Sequence, residues 1–298
     1  MSVLDRFRLD GKRLFITGGS RGLGREMALA VADAGADVVL VGRDAESLER
    51  TASAIRALGR QAWTVTADVS KPAECEDACR RGLELGPIDI LINNVGGRRL
   101  NVPVEDQTLA SWQELLDLNL TSTFLCTKLV GGAMVRRGKG GRVINVSSIA
   151  AVVVPRGIGG RHYETAKGAV LQFTRATAAD WAPYRVTVNA LVAGRGISGR
   201  HYETAKGAML QFTRAVAVDW AVHKITVNAI LPGGFMTEPN QRWAKVHPEV
   251  IDRFRSNIPL GDFGQPEDLG PLAVYLASDT SRYMTGAALV IDGGYTLW

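Results

Sequence analysis

The segment RLFITGGSRGLG, residues 13–24, decides the fold. Its first five residues form the short apolar run expected of a strand buried on both faces. Gly18, Gly22 and Gly24 follow at once, and residues 22–34 then carry apolar residues at helical spacing. Glycines at such a junction let the backbone turn tightly and approach a pyrophosphate. The opening helix adds free N–H groups and the positive end of its dipole. A glycine triplet alone also occurs in turns that serve only packing; the strand before it and the helix after it are what point to a dinucleotide.

Working outward, residues 37–41 (DVVLV), 62–67, 88–93 (IDILIN) and 142–147 (RVINVS) are further apolar runs, with amphipathic stretches such as 45–58 between them. This alternation, with right-handed crossovers, predicts a Rossmann-type α/β fold: a doubly wound parallel sheet with helices on both faces. A polar segment over 237–248, a helix over 266–278 and a strand over 287–291 complete the pattern. No Pro- or Ser-rich linker interrupts it, so residues 1–298 read as a single domain. The composition, 46% hydrophobic and 22% charged, suits a globular protein with a sizeable core. A net charge of +5 arises from scattered arginines without a basic run, which argues against nucleic acid as a partner. Three cysteines do not make a disulfide framework. Cys75 and Cys79 share a helix face with no histidine near them, so no metal is expected. No stretch reaches the roughly 18 apolar residues of a membrane span, and the first residues lack the apolar core of a secretion signal. The cytoplasm is the expected location.

One feature is peculiar to this chain. Residues 156–194 are repeated at 195–233, 39 residues on, with 28 of the 39 positions identical. Each copy carries a Tyr-x-x-x-Lys: Tyr163 and Lys167, then Tyr202 and Lys206. Residues four apart share a helix face, so each copy sets a phenol beside an ammonium.

The motifs, taken in order, resemble those of the classical short-chain dehydrogenases/reductases. TGGSRGLG, residues 17–24, is similar to the family's T-G-x-x-x-G-x-G. Asp68-Val69 resembles its adenine-contacting pair, and Asn93-Asn94-Val95-Gly96 its N-N-A-G motif. Asn119, Ser148, Tyr163 and Lys167 (or Tyr202 and Lys206) match its Asn-Ser-Tyr-Lys tetrad. Pro232, Gly233 and Thr237 resemble the loop that grips the nicotinamide carboxamide. The resemblance spans nearly the whole chain and is strongest to the gluconate 5-dehydrogenase branch, with 3-oxoacyl reductases close behind. It implies a nicotinamide cofactor bound by Gly18, Ser20, Arg21, Gly22, Leu23, Gly24, Arg43, Asp68, Val69, Asn94 and Gly96 together with the Pro232–Thr237 loop. A homodimer or homotetramer is expected. Asn93 has a second reading, as a tie between strands. Where NAD enzymes of this type place an acid on the ribose, residues 41–44 read VGRD. Arg43 and Arg21 suit a 2′-phosphate, which favours NADP(H) over NAD(H); the competing reading has Asp44 taking the ribose.

The implied chemistry interconverts a carbonyl and a secondary alcohol. Tyrosine, with an ordinary pKa of about 10, is the acid/base, and the neighbouring lysine lowers that pKa. Serine holds the carbonyl oxygen where charge develops. Asparagine anchors a water that links lysine to solvent. Arg98 and Arg99 are candidates for a substrate anion or for plain solvation, and His162 and His201 read as surface or packing residues. Glu164 and Glu203 stand where the family has a small residue, making the rim more polar. A small polar substrate of the sugar-acid or polyol type is therefore expected. The alternatives are a 3-oxoacyl-thioester reductase and a cofactor-binding protein that the repeat has robbed of catalysis.

The repeat leaves three arrangements open: helix and strand both from the first copy, both from the second, or one from each. Ser148 precedes Tyr163 by 15 residues and Tyr202 by 54. The shorter loop favours the first helix. The second copy alone ends in Pro-Gly, which favours its strand as the support of the nicotinamide loop. Together these make the mixed arrangement the expected one.

Overall fold

The computed structural model describes residues 4–97, 104–148, 161–181, 186–193, 229–246, 248–282, 284 and 288–295. Its centre is an eight-stranded parallel sheet in the order β3-β2-β1-β4-β5-β6-β7-β8. The strands are β1 (Arg13–Thr17), β2 (Asp37–Gly42), β3 (Ala62–Thr66), β4 (Ile90–Asn93), β5 (Gly141–Ser148), β6 (Val186–Ala193), β7 (Ala229–Pro232) and β8 (Ala288–Ile291). Strand side chains alternate between faces, and two apolar layers follow. On one side Leu14, Ile16, Leu40, Ile92 and Ile144 pack with α1 (Gly22–Asp33), α2 (Ala45–Ala57) and the helix Gly270–Ala277. On the other, Phe15, Val39, Leu91 and Val143 pack with α3 (Pro72–Glu84) and the rod that follows β4.

That rod comprises α4 (Leu109–Leu116), α5 (Ser122–Cys126) and α6 (Gly132–Arg137), separated by two π-helical turns, Asp117–Thr121 and Thr127–Gly131. After β5 comes α7 (Arg161–Trp181), which packs against β5 and β6. Beyond β7 lie α8 (Glu238–Val246), α9 (Pro248–Arg255) and α10 (Gly270–Ala277). The polar segment expected over 237–248 is thus helical. α9 holds its place by stacking Phe254 on Phe263 and Tyr295, with ring centroids 5.0 and 4.7 Å apart.

The mixed arrangement is corrected in one respect. α7 comes from the first copy and β7 from the second, as expected, but the first copy's strand is not displaced. β6 stands in the sheet between β5 and β7, pairing along its length with β5 from Gly141↔Val186 to Ser148↔Ala193. Its other edge pairs with β7 at Ala190↔Ala229 and Leu191↔Ile230, residues that are each other's counterparts in the repeat. Both copies carry the same strand-forming pattern, and an interior strand satisfies backbone donors and acceptors on both edges. The sheet therefore accepts both. Tyr202 and Lys206 lie outside the described residues.

Candidate active site

Because every strand runs parallel, the segments after them gather at one edge of the sheet. The crevice opens between β1 and β4, where the strand order reverses direction; in open α/β sheets this is the ligand position. Gly18 and Gly22 there have φ of +70° and +56°, a region in which a side chain is strained. A Cβ on Gly24 would collide with the Gly18 carbonyl oxygen, so glycine alone lets α1 begin against the turn. No side chain caps α1 at Arg21, so its first N–H groups have no side-chain cap there and suit an anion. Leu23 packs on the first apolar layer, and the Ser20 carbonyl accepts from Thr51 Oγ1 at 3.4 Å. This cradle fits a pyrophosphate.

The neighbouring turn is tied to it. Asn94 donates through Nδ2 to the carbonyls of Thr17 (3.1 Å) and Gly18 (3.3 Å), and the backbone N–H groups of Asn94 and Val95 donate to Thr17 Oγ1. Thr17 is a positioning residue that the motif reading left out, although it heads the same glycine motif. Asn93 is a tie between strands: its Nδ2 donates to Asn145 Oδ1 on β5 (2.7 Å) and to Thr127 Oγ1 (3.0 Å). Asn145 Nδ2 donates in turn to Thr174 Oγ1 on α7 at 2.8 Å. This buried chain fixes α7 against β4 and β5. Nothing in the periodicity announced it.

At the far end of the crevice Arg43 follows β2, exposed, with Nη1 3.7 Å from Asp68 Oδ2. Arg21, in the glycine turn, is also exposed, and Val69 is buried. Asp44 is engaged elsewhere: it caps α2, accepting from the Ser47 N–H at 3.0 Å, and that bond holds its carboxyl below the usual range.

On the other side of β4 three further candidates converge. Asn119, fully buried in the first π turn, accepts from the Gly97 N–H (3.0 Å) and donates to the carbonyls of Gly97 (3.2 Å) and Leu115 (3.0 Å). Lys167 on α7 is 2% exposed and donates from Nζ to the Val146 carbonyl at 3.1 Å. A Cβ on Gly96 would fall on Lys167 Nζ and within 2.7 Å of Asn119 Oδ1. One glycine therefore separates the asparagine from the lysine. Burial lowers the Lys167 pKa to about 8. Tyr163 is partly exposed one turn before Lys167 on α7, and Ser148 ends β5. His162 and Glu164 are buried, and of the two readings of His162 burial favours packing. Pro232 ends β7; Gly233 donates its N–H to Ile291, and Thr237 donates to the Phe235 carbonyl. Arg98 and Arg99, like His201 and Glu203, lie outside the described residues.

A parallel sheet reversing at β1/β4, a glycine cradle and a buried lysine beside an asparagine define a dinucleotide-dependent enzyme class. The comparisons with known proteins agree. A model described as "short chain dehydrogenase" matches residues 12–196, and one described as "Enoyl-(Acyl carrier protein) reductase" matches 195–296; the two meet at the boundary between the copies. The chain is 33% identical to gluconate 5-dehydrogenase of Gluconobacter oxydans, over 100% of this chain and 99% of that one. It is 32% identical to galactitol 2-dehydrogenase (L-tagatose-forming) of Cereibacter sphaeroides, over 98% of both. Among solved structures, a gluconate 5-dehydrogenase from Burkholderia cenocepacia in complex with NADP and tartrate superposes with a TM-score of 0.78 at 31% identity, covering 100% of both chains. The chain belongs to the short-chain dehydrogenase/reductase family and is an NAD(P)-dependent dehydrogenase acting on CH–OH groups. No helix among the described residues is long and apolar enough to cross a membrane.

Proposed function

We propose that the protein oxidises a secondary alcohol, or reduces the matching ketone, on a small polyol or sugar acid, with NADP(H) as its cofactor. The observation that carries this reading is the meeting of Asn119, Gly96 and Lys167 beside the glycine cradle. When bound, the nicotinamide ring supplies or accepts the hydride. Tyr163 gives the proton to the forming alkoxide, or removes it in the reverse direction. Lys167, protonated below about pH 8, stabilises the phenolate left behind. Its bond to the Val146 carbonyl keeps the ammonium at the base of the site, and Asn119 positions the water that returns the proton from solvent. Ser148 is assigned to the substrate oxygen by its place at the end of β5. Arg21 and Arg43 are assigned to a ribose 2′-phosphate; with Asp44 spent on the α2 cap, no acid at the end of β2 competes for the ribose.

The substrate class rests on the relatives, which act on gluconate and galactitol by name. Purified protein assayed with NADP+ against sugar acids and polyols, and with NADPH against an acetoacetyl thioester, tests the proposal. Turnover of a sugar acid or polyol supports it. Turnover of the thioester alone replaces it with a 3-oxoacyl reductase. Tight NADPH binding without turnover of anything overturns catalysis altogether.

A further inference from the structure

The three cysteines of the chain, far apart in sequence, meet in space. Cys75 and Cys79 stand one turn apart on α3, and Cys126 closes α5. Cys126 Sγ lies 3.6 Å from Cys75 Sγ and 3.6 Å from Cys79 Sγ, and the three sulfurs all fall within 4.8 Å of one another. All three are buried in the apolar layer that holds Phe15, Leu91, Leu125 and Met134. Single buried cysteines behave as small hydrophobes; that explains each burial separately but not why three sulfurs turn toward one point.

An ion bonded to three sulfurs at ~2.3 Å sets them roughly 4.0 Å apart in a plane, and closer when the centre is pyramidal. The 3.6 Å edges are already near that spacing, so little ordering remains to be done on binding. Charge then selects the occupant. A trithiolate around a monovalent or divalent ion keeps net negative charge, which is costly in an apolar layer. Three thiolates around a trivalent centre leave none.

We propose that Cys75, Cys79 and Cys126 form a binding site for a trivalent thiophilic metalloid, with arsenic(III) as the matching species. Arsenous acid, As(OH)3, reacts with three thiols to give one As(S-Cys)3 centre and three waters. Three S–H and three As–O bonds break, three As–S bonds form, each thiol proton leaves on a hydroxide, and no atom changes oxidation state. Entry requires α3 and α5 to part. The π turns on either side of α5 interrupt the regular ladder there, and uptake proceeds through local opening. Binding staples α3 to the rod that carries Asn119.

The chain has no other cysteine, which makes the test clean. Full-length protein, reduced with a phosphine, is incubated for hours with arsenite, desalted and weighed intact by native mass spectrometry. The expected result is one adduct, heavier by an arsenic atom less three hydrogens. Cys126→Ala should abolish it, with circular dichroism unchanged. Cys75→Ala and Cys79→Ala give the same test should Cys126→Ala not fold. No retained arsenic, an adduct that keeps a hydroxyl and so uses two sulfurs, or retention unchanged in folded cysteine variants would each overturn the proposal.

Discussion

β6 and β7 come from corresponding stretches of the repeat, yet they hold different positions. β6 has β5 on one edge and β7 on the other, and it continues the helix–strand unit begun by α7. β7 has β8 beyond it and leads into the Gly233–Thr237 loop. The difference shows that local sequence specifies a strand but not its place. Place is set by what the neighbours can reach: Asn145 donates to Thr174 of the first copy, and the Val146 carbonyl accepts from Lys167. These long-range bonds break the symmetry between the copies.

The comparison is broken most directly at the tyrosines. Tyr163→Phe is expected to lower kcat by about 10²–10⁴, the usual worth of a positioned acid/base, with NADPH binding retained. Tyr202→Phe, measured alongside, should remain within about twofold, since the lysine that meets Asn119 across Gly96 is Lys167 of the first copy. The reverse outcome would move the site to the second copy, and partial loss from each would mean that the copies exchange places.

A smaller effect separates the two copies in stability. Thr174→Val leaves the Asn145 amide without its acceptor and should cost about 1–3 kcal/mol in a denaturant titration. Thr213→Val, the same change in the second copy, should stay within about 0.5 kcal/mol, because the Asn145 amide is already taken by Thr174. Equal losses would contradict the assignment of α7 to the first copy.

Cofactor choice belongs to the β2 side and should ignore the repeat. NADPH is expected to bind about tenfold more tightly than NADH, a gap of ~1.4 kcal/mol, and Arg43→Asp should erase or invert that ratio. Equal dissociation constants in the unchanged protein would remove the basis for it.

The smallest effect is in pH. With Lys167 lowered to about 8 by burial, the ammonium is present below that pH and lost above it. Ketone reduction, followed as kcat/KM, should therefore fall as pH rises through about 8. Lys206→Met should keep this fall, and the residual rate of Lys167→Met should lack it. Stability has the opposite slope. Lys167 binds its proton less tightly when folded, so its contribution grows as pH rises from about 8 toward 10.5 and is lost on acidification through about 8.

The nucleotide side of the molecule was legible in the sequence because its signals are local. The run from Arg13 into Gly18–Gly24 states a strand, a turn and a helix start in twelve residues, and the structure sets each where the pattern put it. The repeat side was legible only in its parts. Periodicity cannot tell two near-identical strands apart, so the presence of both in one sheet followed from pairing, which sequence spacing does not encode. The cysteine reading stopped at Cys75 and Cys79 for the same reason; Cys126 joins them only because α5 packs on α3. Asn145 and Thr174 were missed since an asparagine in a strand and a threonine in a helix announce no partner.

The pairing of Ala190 with Ala229 has one more consequence. The sheet has been widened from within, by a shorter rung that pairs in register with its own counterpart in the repeat. Removing residues 195–233 would join Gly194 to Gly234 and bring β6 against β8 in the place of β7, with the ladders from β3 to β6 unshifted. A parallel sheet built of such units can gain or shed one without renegotiating its core, and the cradle, four strands away, would not register the change.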